Sequence, residues 1–136
     1  TNYASSDYNG YRVNPESDIA FSWSSPPREM AKQYGVPLVS REYASFAEYQ
    51  QGSGQDANSV LVDFDIFVNA QMPDLDDPGR LYDPEVVDLR LRRGADAVDA
   101  GVVLPNINDG FNGRAPDLGA YEYGQDMPHY GPRPRN

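Results

Sequence analysis

The supply of core-forming side chains constrains this chain more than any motif it carries. Leu, Ile, Val and Phe together provide 27 of 136 residues. That is near the level at which burial fails to offset the entropy of ordering a chain. Ten Tyr and one Trp add apolar surface, but their polar ends suit half-buried positions better than a deep core. Gly and Pro contribute 12 residues each, so turns interrupt every run. The chain therefore reads as loop-rich with a thin core. It is either a small irregular domain or a segment that completes its burial on a body outside this sequence.

Local patterns place a few elements. Ile19, Phe21 and Trp23 alternate with small polar residues, a short strand signal. Ser45 followed by Glu48 forms a capping box, with Phe46 and Tyr49 on one helical face and Gly52 as the expected stop. Such a helix is too short to stand alone in water, so its aromatic face must dock on something. Residues 60–69 are the best strand: Val60, Val62, Phe64, Ile66 and Val68 share a face that should be the main anchor. A second strand carries Val87, Leu89 and Leu91 in alternation with Asp88, Arg90 and Arg92. From Gly94 onward turn residues dominate, and residues 128–136 read as an extended or disordered tail. No internal repeat is visible, and residues 1–136 read as one segment. The loop at residues 71–84 is the best candidate for a flexible connection.

The charge excludes several function classes. Eleven basic against 21 acidic residues leave a net −10, which argues against non-specific binding of nucleic acid or anionic membranes. Cysteine is absent, so disulfides, zinc ribbons and thiol nucleophiles are excluded. No apolar run approaches the roughly 20 residues that span a bilayer. The chain opens on Thr1 rather than Met, which predicts a processed leader or a longer parent.

Three groups of residues can carry chemistry. Asp63 and Asp65, two apart on the expected strand, would present both carboxylates on one face. Such a pair can act as acid and base or hold Ca²⁺, and the plainer reading is a solvated strand face. Asn106, Asn108, Asp109, Asn112 and Asp117 offer oxygen ligands around Gly110. Their spacing is not that of an EF-hand, and such residues serve more often as turn formers. Metal candidates are therefore Asp63, Asp65, Asp109 and Asp117. Tyr3, Tyr8, Tyr11 and Trp23 make an aromatic N-terminal stretch beside Arg12. Rings stack on sugars and Arg12 can take hydroxyls, so Tyr8, Tyr11, Arg12 and Trp23 are the carbohydrate-binding candidates, with simple packing the plainer reading. His129, the single histidine, lies in the expected tail, where a fixed catalytic base is out of place. Gly101, Gly113 and Gly119 punctuate a segment carrying Asp99, Asp109 and Asp117. That pattern predicts turns whose amides are held by structural carboxylates.

Two C-terminal stretches, with Asp7-Tyr8-Asn9-Gly10 upstream, carry a resemblance. Leu89-Arg90-Leu91-Arg92-Arg93-Gly94-Ala95-Asp96-Ala97-Val98-Asp99-Ala100-Gly101 and Asp109-Gly110-Phe111-Asn112-Gly113-Arg114-Ala115-Pro116-Asp117-Leu118-Gly119-Ala120-Tyr121-Glu122 resemble the closing coils of secreted, pectate-lyase-like right-handed parallel β-helix proteins. The match covers about half the chain and departs from the pattern at Ala95 and Asp96. It implies a mainly β fold: the terminal segment of a right-handed parallel β-helix with long irregular loops and one short helix. It also implies an extracellular or cell-surface location, a bacterial source, and partners in the preceding coils or a larger companion chain. In that family the catalytic groups lie on the coils. This chain is then expected to be a non-catalytic C-terminal cap of a protein that binds or degrades polysaccharide. It would carry no cofactor other than possible Ca²⁺, and would bind no nucleic acid. The alternatives are a structural or adhesive surface protein without enzymatic activity and an independent carbohydrate-binding domain.

Overall fold

The computed structural model describes residues 5–25, 35 and 37–127. Tyr3, His129 and the expected tail at 128–136 lie outside the described residues. The elements are few and short: β1 (Gly10–Tyr11), β2 (Phe21–Ser25), β3 (Val39–Tyr43), α1 (Phe46–Ser53), β4 (Val60–Leu61), β5 (Phe67–Asn69) and β6 (Asp88–Leu91), with a 3₁₀ turn at Phe64–Ile66. The chain is mostly non-helical, and its strands pair two at a time. It divides into two compact units, Thr1–Leu61 and Val62–Asn136. The division falls inside the stretch expected to be the best strand, not in the loop at 71–84.

In the first unit β2 runs antiparallel to β3, with Phe21 opposite Tyr43 and Trp23 opposite Arg41. The strand expected over Ile19, Phe21 and Trp23 is present at Phe21 and Trp23, while Ile19 lies before its start and is exposed. Helix α1 starts where its cap chemistry requires: Glu48 N–H donates to Ser45 Oγ at 3.3 Å. The Glu48 carboxylate turns back one residue further than expected and accepts from Ala44 N–H at 3.1 Å. The expected stop at Gly52 is corrected. Gly52 is inside the helix, where an added Cβ would run into the Tyr43 ring. The true stop is Gly54, in the left-handed conformation at φ 69°, which glycine adopts without steric cost. The helix docks through its aromatic face, as its length demands. Tyr49 stacks on Phe21 with ring centroids 4.8 Å apart, and Phe46 meets the same ring at 5.3 Å. β1 and β4 form a parallel pair, Gly10 opposite Val60 and Tyr11 opposite Leu61.

The second unit contradicts the single strand expected over residues 60–69. The chain is extended only at its two ends and coils between them. The cause is local. Asp63 takes the N-cap position and its carboxylate accepts from Phe64 N–H at 2.7 Å, offering the backbone an alternative to a ladder. No single strand carries Val60, Val62, Phe64, Ile66 and Val68: the first four are half-buried, with Phe64 and Ile66 on the turn, and Val68 in β5 is exposed. β5 instead pairs antiparallel with β6, Phe67 opposite Leu91, through an irregularity before Asn69. Leu91 and Ala97 are buried while Val87 and Leu89 are exposed. After β6, loops take over. Leu118 N–H donates to Ala97 C=O at 2.8 Å and Gly101 N–H to Pro116 C=O at 2.7 Å, tying the last turns together.

Candidate functional site

The first unit centres on a residue that sequence patterns missed. Asp56 follows the helix stop, is 1% exposed, and is the largest fully buried side chain among the described residues. Its Oδ1 accepts from Ser59 Oγ at 2.7 Å, Asn9 Nδ2 at 2.8 Å, Ser6 Oγ at 3.0 Å and the Tyr11 hydroxyl at 3.1 Å. Its Oδ2 accepts from the Tyr49 hydroxyl at 2.7 Å. Its backbone is held as well, with its N–H on Ser6 C=O and its C=O taking Gln50 Nε2. A buried carboxylate is stable only when it is fully hydrogen-bonded, and here neutral donors perform the task. Burial pushes the Asp56 carboxyl up, but the bonds from Tyr49, Asn9, Ser59 and Ser6 outweigh it and hold its pKa below the ordinary value. Burial, followed by the bond to Asp56, raises the Tyr49 hydroxyl well above the ordinary tyrosine value. Tyr11 rises for the same leading reason. The site is closed on all sides by its own donors, so its chemistry is that of a tether between residues 6–11 and the helix end.

Two of the four carbohydrate candidates, Tyr11 and Trp23, are drawn into this tether and its surroundings. Tyr11 bonds Asp56 and packs edge-on to Phe21 at 5.3 Å. Trp23 lies 6.3 Å from Tyr49, with its Nε1 buried and without a hydrogen-bond partner among the described residues. Tyr8 stands apart from these ring contacts on left-handed backbone, φ 56°. Arg12 is exposed. The structure thus brings Tyr11 and Trp23 into one aromatic cluster as packing residues.

The metal candidates are not brought together. Asp63 caps the 3₁₀ turn and Asp65 rides on it, so the expectation that both leave one strand face is corrected. Asp109 Oδ2 accepts from Asn106 N–H at 2.7 Å and Asn108 Oδ1 from Leu104 N–H at 2.6 Å, as turn formers do. Asp117 receives Asp99 N–H on Oδ1 at 2.7 Å and Tyr123 N–H on Oδ2 at 2.5 Å. Asp99 Oδ1 in turn accepts from Arg114 N–H at 2.6 Å and Ala115 N–H at 3.2 Å. The amides of Ala115 and Arg114 hold the Asp99 carboxyl below the ordinary range. Among the described residues no three His, Cys, Asp or Glu side chains lie close enough to share a metal ion. Gly113, at φ 97°, lies against the Asp99 carboxylate, where a Cβ would overlap it. The structural carboxylates expected from the Gly/Asp punctuation are present at Asp99 and Asp117. Gly101 serves by close approach to Pro116 C=O, not by an unusual φ.

Among the described residues, clefts lie in the second unit. A cleft of about 390 Å³ is lined by Phe64, Pro73, Leu81, Tyr82, Val86 and Leu89. A second, of about 570 Å³, runs along the other part of β6 past Tyr82, Arg90, Tyr121 and Met127. Arg90 is clamped by Asp88, whose carboxyl is pulled down to about 2 by that bond. Both clefts are apolar grooves flanked by charge, without a convergent set of acid, base and nucleophile. No helix of the described residues is long and apolar enough to cross a membrane. Comparison of the chain with family models, with curated proteins and with solved structures finds no match.

Proposed function

We propose that this chain is the non-catalytic C-terminal capping part of an extracellular parallel β-helix protein that binds or degrades polysaccharide. The observation that carries the reading is the combination of a parallel strand pair with unfinished burial. Parallel ladders are normally covered on both faces, yet Leu61 in β4 is 49% exposed and the β1–β4 sheet has only two strands. In the second unit Leu81 is 96% exposed and Ile107 79%. A segment that stacks on further parallel coils would cover such side chains and pair such edges. It would also close the open edge at which a β-helix otherwise invites aggregation. The stretches at residues 89–101 and 109–122 support the same reading, because the Asp99 carboxylate of the first and the Asp117 carboxylate of the second hold turns and leave the chemistry to other residues.

The test is calorimetry of the chain by itself, with an activity assay on acidic polysaccharide alongside. The reading expects a broad, weakly cooperative melt and no cleavage of polymer. A sharp two-state transition, with equal calorimetric and van't Hoff enthalpies, would overturn the dependence on a partner body. Turnover by the isolated chain would overturn the non-catalytic assignment.

A further inference from the structure

The chain contains two Asn-Gly pairs, Asn9-Gly10 and Asn112-Gly113, and the structure treats them in opposite ways. We propose that Asn112 is a site of spontaneous deamidation and isomerisation that releases the Asp99 turn with age, while Asn9 is protected by the fold. The inference is independent of the capping role.

Asn-Gly is the pair in which a backbone amide most readily reaches the preceding side chain, because glycine places no Cβ in the way and leaves φ free. The Gly113 nitrogen gives up its proton to solvent base and bonds to Asn112 Cγ. The side-chain nitrogen leaves as ammonia, and a five-membered succinimide remains. Water then opens the ring at either carbonyl. Opening at Cγ leaves aspartate. Opening at the original main-chain carbonyl leaves isoaspartate, with the backbone rerouted through Cβ and Cγ. The net change consumes water and releases ammonia, and no oxidant or cofactor takes part.

Geometry decides which pair reacts. Asn9 is half-buried, and its Nδ2 lies within hydrogen-bond reach of Asp56 Oδ1 at 2.8 Å, Ser6 Oγ at 3.0 Å and Asp7 C=O at 3.2 Å. Its own N–H donates to Ser59 Oγ at 2.8 Å, and its C=O accepts from Val60 N–H at 2.9 Å. Swinging the carboxamide onto Gly10 would break these bonds and strip a donor from buried Asp56. Asn112 and Gly113 are both exposed in a loop. Among the described residues the Asn112 side chain makes no hydrogen bond, so its rotation costs little.

The consequence follows from what sits next to the pair. Gly113 lies against the Asp99 carboxylate, and the two following amides, Arg114 and Ala115, both donate to Asp99 Oδ1. An extra backbone carbon just before Gly113 shifts those amides out of register. A new carboxylate beside Asp99 adds repulsion. Both effects loosen the turn.

The test is ageing of the full chain at mildly alkaline pH, followed by peptide mapping with isoaspartate detection. Conversion at Asn112 should exceed that at Asn9 by about tenfold or more, because Asn9 reacts only from locally opened states. In denaturant the two pairs should convert at similar rates. Equal rates in the folded chain, or faster conversion at Asn9, would overturn the assignment, as would protection of Asn9 that survives denaturant. In the aged fraction, hydrogen exchange at the Arg114 and Ala115 amides should accelerate, and Asn112→Gln should abolish both the conversion and the acceleration. Unchanged exchange in fully converted chain would overturn the loosening of the turn.

Discussion

Asp56 in the first unit and the Asp99–Asp117 pair in the second use the same side chain in contrasting ways. Asp56 is buried and collects mainly side-chain donors: two tyrosine hydroxyls, two serine hydroxyls and an asparagine amide. Asp99 and Asp117 are half-buried and collect backbone amides from residues 99, 114, 115 and 123. The first arrangement joins an aromatic cluster to residues 6–11. The second shapes loops that have no ladder. A chain poor in Leu, Ile and Val can thus order itself with carboxylates at both depths. The energetic stakes differ, because a buried donor without an acceptor costs far more than a wet one.

The sharpest way to break this comparison is Asp56→Ala. The substitution leaves several buried or half-buried donors without an acceptor, each worth about 1–3 kcal/mol. The first unit should lose about 3–5 kcal/mol in total, a large share of a small domain's stability. Chemical denaturation followed by the fluorescence of Trp23, the single tryptophan, reads that unit directly. A loss below about 1 kcal/mol would mean that water replaces the carboxylate freely and that the contrast in depth is false.

Next in size is the dependence on pH. The Asp56 carboxyl titrates below its ordinary value in the folded chain. It therefore contributes stability that is present above the unfolded pKa of about 4 and is lost as pH falls through the folded value. Asp99 acts in the same direction in the second unit. Tyr49 and Tyr11 are raised, first by burial. Their contribution is complete below the unfolded pKa of about 10 and is lost as pH rises through the folded value. The first unit should therefore weaken at both extremes. Melting temperature against pH, followed by Trp23 emission, should show both limbs. Tyr49→Phe should flatten the alkaline limb, and an alkaline limb of unchanged steepness would remove the tyrosine as its source.

The contrast also explains what was legible in the sequence. Helix α1 was readable because its cap and its aromatic face lie within a few residues of one another. The strand around Phe21 and Trp23 and the strand ending at Leu91 were readable for the same reason, since alternation is local. The stretch at 60–69 misled because its alternation is genuine. What interrupts it is the carboxylate of Asp63 bonding the very next amide, and periodicity does not register that competition. The turn carboxylates were legible from their neighbouring glycines. Asp56 was not, because its donors come from residues 6, 9, 11, 49 and 59, and in the sequence it stands only as one more polar residue after a glycine. Tyr11 and Trp23 were singled out for their ring faces. Nothing in their spacing disclosed that those rings are taken up by Phe21 and Tyr49.

Two milder substitutions sharpen the comparison within the second unit. Asp117 uses both oxygens, one on Asp99 N–H and the other on Tyr123 N–H. In Asp117→Asn one of those positions becomes an NH₂ facing a donor. The expected cost is about 1–2 kcal/mol, as for one weakened hydrogen bond to a charged acceptor. Hydrogen exchange should speed at either the Asp99 or the Tyr123 amide, according to which way the amide group settles. Faster exchange at both would show that the charge matters more than the two acceptor positions.

Asp99→Asn should have the smallest effect, and its reason is geometric. A single oxygen, Oδ1, accepts both Arg114 N–H and Ala115 N–H, so an asparagine carbonyl can take over both bonds. What is lost is the charge and the long 3.5 Å contact from Oδ2 to Arg114 Nε, a cation that is 89% exposed and so contributes little. Asp99 also lies in the left-handed region at φ 57°, which asparagine tolerates at least as well. The gain in backbone fit opposes the loss of charge, so the change in stability should be the smallest of the set. Exchange at Arg114 and Ala115 should stay slow at neutral pH, and the part of the acid limb that belongs to this turn should disappear. If the substitution instead costs as much as Asp117→Asn, the negative charge holds the turn, and the likeness drawn between Asp99 and a plain turn-forming carbonyl fails.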